Sequence, residues 1–297
     1  VALAVAGYAL FAVWGGWQEV SDALRTIGMV DVLVLLALSL VNYGLRFRRW
    51  HSYLYRFNYR LPWRLNLHAY LTGFALTTTP GKAGEALRGL FLKPVGVPYT
   101  QSVGALFAER LSDLVTVVLL SLPGLWLYPS AQPLVVVAVV LLPMGVWVLQ
   151  RDPWLLSWKE KAKQWRWRRW KSVVTHGIDM VLCAGRLLKP TPLLLGLAIG
   201  LVAWGAEAVA FHYLLQQMDL EVSFAMAVFI YSFSTLVGAV SFLPGGLGSA
   251  EVTMAFLLVL NGASSAEAAT ATVVIRLATL WFAVVIGLLA LAKPPVR

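Results

Sequence analysis

The segment from Ser241 to Glu251, SFLPGGLGSAE, places a proline, three glycines and a carboxylate between long apolar runs. A helix cannot pass through Pro244, Gly245 and Gly246 without losing backbone hydrogen bonds. In lipid, groups freed in this way must be satisfied by protein, by water in a cavity or by a ligand. The segment therefore predicts a broken helix, or the tip of a re-entrant hairpin, lining a polar cavity within a membrane. An earlier stretch has the same character. From Thr79 to Glu85, TPGKAGE, Pro80 and Gly81 again precede a further glycine and a glutamate in apolar surroundings. About 30 residues after each proline an arginine stands in a long apolar helix, Arg110 in one case and Arg276 in the other. Two interrupted segments in corresponding halves point to a transporter-type binding site near the bilayer midplane.

The 297 residues are 59% hydrophobic and 13% charged, with a mean hydropathy of +0.74. No soluble domain of this size has that balance, and it predicts an all-α polytopic membrane protein. Period-two alternation does not dominate, so an outer-membrane barrel is not expected. The net charge of +10 sits in short loops between apolar runs, which fits the positive-inside pattern rather than a nucleic-acid surface. Cys183 is the single cysteine, so no internal disulfide can form. His51, His68 and His176 lack metal-ligand spacing, and no metal or cofactor is expected. His212, late in a helix, is read as satisfied by a local hydrogen bond.

Residues 1–17 and 29–45 read as the first two spans, the former as a span rather than a cleaved signal peptide. Arg46, Arg48, Arg49, Arg56, Arg60 and Arg64 then alternate with Trp50, Tyr53, Tyr55, Tyr59 and Trp63, which predicts a basic, aromatic loop at the cytoplasmic interface. Residues 65–78 and 83–92 are half-length helices around the first break. Residues 99–127 cross outward and 134–149 return. Residues 158–171 combine four tryptophans with many cations and read as a helix lying in the cytoplasmic interface. Residues 192–217 cross outward, 224–243 and 251–260 flank the second break, and 266–292 form the last span. The expectation is one transmembrane domain over 1–297, with about six full spans and two Pro-Gly-broken re-entrant hairpins in an inverted-topology repeat. The first repeat covers 46–149, the interfacial segment 150–190 and the second repeat 191–292. Both termini are expected on the cytoplasmic side of a cell membrane. Hairpin arms that each cross fully are the alternative arrangement.

With these motifs in hand, the chain resembles the transmembrane region of lysylphosphatidylglycerol synthases and related flippase-like integral membrane proteins. The resemblance rests on Arg48-Arg49-Trp50, the stretch Pro80 to Glu85, Glu109-Arg110 with Asp113, Trp204 with Glu207, and Pro244 to Gly248 with Glu251. It runs from about residue 46 to the C-terminus. It implies translocation of aminoacylated phospholipids or polyprenyl-linked sugars. No soluble aminoacyl-transferring domain follows the last helix of this sequence, so lysyl transfer is not expected, nor is enzymatic activity.

Charges inside spans cost about 2.5–3.5 kcal/mol on insertion scales and call for partners. Lys82, Glu85, Glu109, Arg110, Glu207, Glu251 and Arg276, with the Gly245–Gly246 backbone, are the candidate substrate-binding groups. Pro80, Gly81, Pro244 and Gly245 are the helix breaks. The expected site is a phosphate seat between the two tips, where half-helix N-termini after each proline offer N–H groups to an anion. Lys82, Arg110 and Arg276 add positive charge, arginine being suited to bidentate phosphate contact. The glutamates orient these cations, bind a cationic headgroup or carry a coupling proton. A purely structural role is the alternative, in which ion pairs pin the hairpins; Arg88 and Asp113 are read that way. Glu109 and Arg110 point about 100° apart on a helix and are not expected to pair.

The leading reading is a flippase for an anionic, polyprenyl-phosphate-linked or aminoacylated lipid, with membrane lipids as partners and no nucleic acid. Gly81-Lys82 lacks the rest of a Walker motif, so ATP hydrolysis by this chain is not expected. One alternative is a non-catalytic membrane partner of a lipid-modifying or glycan-synthesis enzyme. The other is a polyprenyl-phosphate-dependent glycosyltransferase using Glu19 and Asp22, near Arg25.

Overall fold

A computed structural model describes residues 27–126, 132–164 and 168–293. The expected first span, the loop residues Glu19, Asp22 and Arg25, and the C-terminal tail after 293 lie outside them.

Helix α1 (Met29–Arg56) starts where the Asp31 carboxylate accepts from the Gly28 N–H at 2.8 Å. It does not end near residue 45. No proline or glycine interrupts 45–60, and Tyr43, Phe47, Trp50 and Tyr53 recur at helical spacing on one buried face. The expected interfacial loop is therefore largely helix. Arg46 and Arg49, expected at the membrane surface, point into the protein instead.

Helix α2 (Trp63–Phe74) leads to the first break, a 3-10 turn over Pro80–Ala86 that runs into α3 (Leu87–Leu92). Helix α4 (Tyr99–Ser121) ends in a 3-10 turn (Leu122–Trp126) rather than continuing as regular helix to 127. Helix α5 (Gln132–Leu149) keeps Pro143 inside it and meets α6 (Asp152–Lys163) at a bend of 65°. Helix α7 (Arg168–Leu187) follows, so the segment expected to form one interfacial helix is two helices. Helix α7 packs along α4, with Met180 and Cys183 against Gly104. Trp154, Trp158 and Trp170 remain exposed.

Helix α8 (Pro190–Gln217) packs along α1, where the Asn42 amide donates to the Ala203 carbonyl at 2.9 Å. Helix α9 (Phe224–Val240), capped by Ser223, reaches the second break at Pro244–Gly246, and α10 (Ser249–Leu260) leaves it. Helix α11 (Ser265–Arg276) carries the reciprocal cap of Ser264 and Glu267. It continues through a π turn (Leu277–Trp281) into α12 (Phe282–Ala292). Among the described residues, α1, α8 and the continuous run Ser265–Ala292 are long and apolar enough to cross a membrane.

Two apolar clusters support the site. One joins α8, α9, α10 and α11 around Phe211, Phe229 and Leu258. The other joins α1, α2 and α4 around Phe47, Trp50 and Tyr70. Between them the two breaks touch. A side chain at Gly245 would place its Cβ 3.2 Å from the Thr78 Cα. Gly246 has φ +69°, and a Cβ there would lie 2.9 Å from the Gly238 Cα, so α9 and the second break approach more closely than any side chain allows.

Gly246→Ala is expected to lower stability by about 1–3 kcal/mol through the left-handed φ and the backbone clash. Gly145→Ala, which meets open space inside α5, leaves the midpoint unchanged or raises it. Thermal unfolding of both variants in detergent checks this.

Candidate functional site

Helix α4 supplies three of the site's charges within one turn. Glu109 and Asp113 are separated by four residues, so both carboxylates face the same way, with Arg110 beside them. Arg46 and Arg49 approach from α1, Lys82 and Glu85 from the first break, Arg88 from α3 and Trp204 from α8. Glu109 and Glu85 are fully buried and Asp113 is 5% exposed.

Glu85 and Glu109 are hydrogen-bonded at both oxygens, and Asp113 at Oδ1 but not Oδ2. Glu85 accepts from the Thr77 hydroxyl at 2.8 Å and from Arg88. Glu109 accepts from Arg88 Nη1 at 2.9 Å and lies 3.0 Å from Arg110 Nη2. Asp113 accepts from Arg49 and, at 3.1 Å, from Trp204 Nε1. Arg88 is held between aromatic faces, its guanidinium carbon 4.5 Å from the Trp50 ring centre and 4.8 Å from that of Tyr70. Such cation–π contacts favour a desolvated arginine. Glu109 and Arg110 do pair, against the expectation from their 100° offset. Both side chains bend toward the same interhelical space, where the alternative is an unneutralised charge.

Two arginines are the least well served, each with two unpartnered nitrogens, while Arg49 leaves only its Nε without an acceptor among the described residues. Arg46 is 5% exposed, its nearest carboxylate oxygens are 3.6 and 3.7 Å away, and its Nε and Nη2 have no hydrogen-bond acceptor among the described residues. Arg110 comes within 3.1 Å of Asp113, yet its Nε and Nη2 are not directed at an acceptor. Its side chain, 17% exposed, is the most open of the network. Lys82 reaches Trp204, with Nζ 5.8 Å from the ring centre, and forms no ion pair among the described residues. It holds a positive φ of 56°, uncommon for a lysine. Arg46 lies 5.5 Å from the same ring. Five cationic side chains thus face three carboxylates, which favours a further anion.

The other expected site residues sit apart. Arg276 donates to Glu251 Oε1 at 2.6 Å and to the Gly245 carbonyl at 3.1 Å. Glu251 also accepts from the Gly248 N–H at 2.7 Å. The N-terminus of α10, expected to face an anion, is therefore closed by a carboxylate of its own first turn. Counting this pair and Glu207, six cations face five carboxylates, and the excess remains. Gly246 lies in the turn braced by these bonds, and its carbonyl accepts from Ser249 at 3.1 Å. After Pro80 and Gly81 the chain makes a 3-10 turn rather than opening an α-helix. Glu207, 4% exposed, accepts from the Tyr231 hydroxyl at 2.6 Å. His212 does not make the expected local hydrogen bond: its Nδ1 has no partner among the described residues and its ring packs on Phe224. No group of three or more His, Cys, Asp or Glu is placed to hold a metal ion among the described residues.

The site residues missing from the sequence expectation are Arg46, Arg49 and Trp204, the last named there only among the residues that carry the family resemblance. For the arginines the helix pattern held a signal: Arg46, Arg49 and Tyr53 share the helical face of Tyr43.

The sequence pattern of the lysylphosphatidylglycerol synthase TM region matches residues 1–287. A UPF0104 membrane protein of Methanothermobacter thermautotrophicus is 24% identical, covering 91% of this chain and 86% of the relative. A second one from that organism is 23% identical, over 93% and 89%. The UPF0104 membrane protein PH1989 of Pyrococcus horikoshii is 22% identical, over 96% and 94%.

Removing Arg88 leaves Glu85 and Glu109 underpaired in a dry site. Arg88→Met is expected to cost about 3–5 kcal/mol. Arg46→Met removes a buried cation whose nearest carboxylates are 3.6 and 3.7 Å away and already paired with other arginines, and is expected to cost less than Arg88→Met. Unfolding midpoints in detergent rank the two, and the opposite order contradicts the contrast between the close ion pairs of Arg88 and the long ones of Arg46.

Proposed function

The chain belongs to the family of the lysylphosphatidylglycerol synthase TM region, a family of membrane proteins, and from that premise we propose that it moves an anionic lipid between leaflets. The lipid's phosphate, whether phosphatidyl, polyprenyl-linked or part of an aminoacylated headgroup, is held by Arg46, Arg110 and Lys82 beside Trp204. One observation carries this reading: in an ionic network beside two touching helix breaks, the guanidinium groups of Arg46 and Arg110 each have two nitrogens without acceptors among the described residues, where Arg49 has one and Arg88 none. Guanidinium forks match phosphate oxygens bidentately. Arg49, Arg88, Glu85, Glu109 and Asp113 hold the seat in shape. Arg276 and Glu251 brace the second break from behind.

In this proposal the two breaks are the tips of opposed hairpins, and movement of one against the other exposes the seat to alternate leaflets. The α6–α7 hairpin rests at the cytoplasmic surface. Its exposed tryptophans and basic side chains, with Lys161 5.4 Å from the Trp158 ring centre, suit anionic headgroups.

Lipid retained by gently purified protein, identified by mass spectrometry, tests the seat. Wild type is expected to hold an anionic lipid, and Arg46→Met/Arg110→Met to lose it while remaining folded. In proteoliposomes, leaflet exchange of labelled phosphatidylglycerol falls about 10–100-fold in the variant, the weight of one or more charged hydrogen bonds. Equal retention and equal exchange in both proteins would sink the reading.

A further inference from the structure

Glu207 stands out among the buried carboxylates near the ring. Glu85, Glu109, Asp113 and Glu251 each have an arginine at ion-pair distance. Glu207 has no cationic partner at that distance among the described residues. One neutral hydrogen bond, from Tyr231, serves its Oε2. An isolated ionised carboxylate in a dry interior is strongly disfavoured, and the usual relief is to take a proton. Acceptance of a tyrosine hydrogen bond alone explains little, since a glutamine would serve and would carry no charging cost.

The surroundings make protonation depend on what the ring holds. Arg46 and Tyr43 face Glu207 from α1, Lys82 from the first break, Tyr231 from α9 and Arg276 from α11. Asp113 and Arg110 of α4 lie on the far side of Trp204, one helical turn from Glu207 on α8. Arg276 is committed to Glu251 and Gly245. Lys82 and Arg46 are the cations whose field Glu207 shares with the proposed phosphate seat. With the seat empty, that field supports the ionised carboxylate. A bound phosphate neutralises it and adds negative charge close by, and the carboxylate then favours its acid form.

We propose that Glu207 is a proton-binding site coupled to the phosphate seat, so that a proton and an anionic lipid headgroup bind together and are carried in the same direction. The proton adds to the Glu207 carboxylate from water and returns to water when the headgroup leaves; Tyr231 keeps donating to the acid's carbonyl oxygen. By reciprocity, the headgroup strengthens proton binding by the factor by which the proton strengthens headgroup binding. This inference rests on the reading of Arg46, Arg110 and Lys82 as the headgroup seat.

Calorimetric titration of short-chain phosphatidylglycerol into the detergent-solubilised chain, in buffers of different ionisation enthalpy, counts protons taken up on binding. Wild type is expected to take up close to one proton per lipid near neutral pH, with tighter binding at lower pH by a factor of about 5–150. Glu207→Gln, which mimics the protonated form, is expected to bind tightly at every pH with no proton uptake. Lipid binding in wild type without uptake, or undiminished uptake in Glu207→Gln, overturns the proposal. If phosphatidylglycerol does not bind wild type at all, the seat itself is wrong. Infrared spectroscopy then still decides the proton site: the acid carbonyl band should titrate in the lipid-free wild type, vanish in Glu207→Gln and shift in Tyr231→Phe. Absence of a titrating band in wild type overturns the proton assignment independently of any lipid.

Discussion

Burying charge in an apolar bundle is the constraint from which the rest of this structure follows. Four arginines and three carboxylates meet where α1, α3, α4 and the first break converge. Each charge left alone there would cost several kcal/mol. Together they neutralise one another only if the helices hold fixed registers. Glu109 shows the linkage directly, with Arg46, Arg49, Arg88 and Arg110 of three different helices all within 3.7 Å or less. The network therefore specifies the packing, and a shift of any one helix would strand a charge.

The irregular backbone is tolerated for a related reason. Around each proline the freed polar groups find internal partners. Arg276 takes the Gly245 carbonyl, the Glu251 carboxylate takes the Gly248 N–H, and the Thr79 hydroxyl accepts from the Gly84 N–H at 2.6 Å. Protein supplies what lipid cannot. This accounting is also why the proposed anion seat lies away from the helix ends. The α10 terminus is already capped, whereas guanidinium groups of Arg46 and Arg110 keep donors to spare. In the proposed transporter the breaks supply a joint between moving parts, and the arginines supply the affinity.

Two kinds of carboxylate coexist in this interior. Glu85, Glu109, Asp113 and Glu251 have an arginine at contact distance and act as architecture. Glu207 has no arginine at that distance among the described residues and accepts from Tyr231, and in the proposed coupling it is the carboxylate that exchanges charge for a proton. In the proposed coupling that division assigns the fixed and the variable charges to different side chains, the ion-paired carboxylates on the first break, α4 and α10, and Glu207 on α8.

Much of this was legible in the chain itself. Interruptions at Pro80 and Pro244 were legible because proline and adjacent glycine do not sustain a regular α-helix, and the structure has 3-10 turns at both places. Charges inside the hydrophobic runs marked Lys82, Glu85, Glu109 and Arg110, and the structure brings these four together. Partner choice was not legible. Arg46 and Arg49 look like a surface cluster by composition, and only the continuation of α1 turns them inward. Glu251 and Arg276 look like ligand groups, and only the fold shows that they pair with each other and bond the second break. Local sequence determines where a helix must form or fail, since those costs are set within a turn or two. Which buried charges meet depends on contacts between residues such as Arg49 and Asp113, far apart in the chain, and only tertiary packing brings those together.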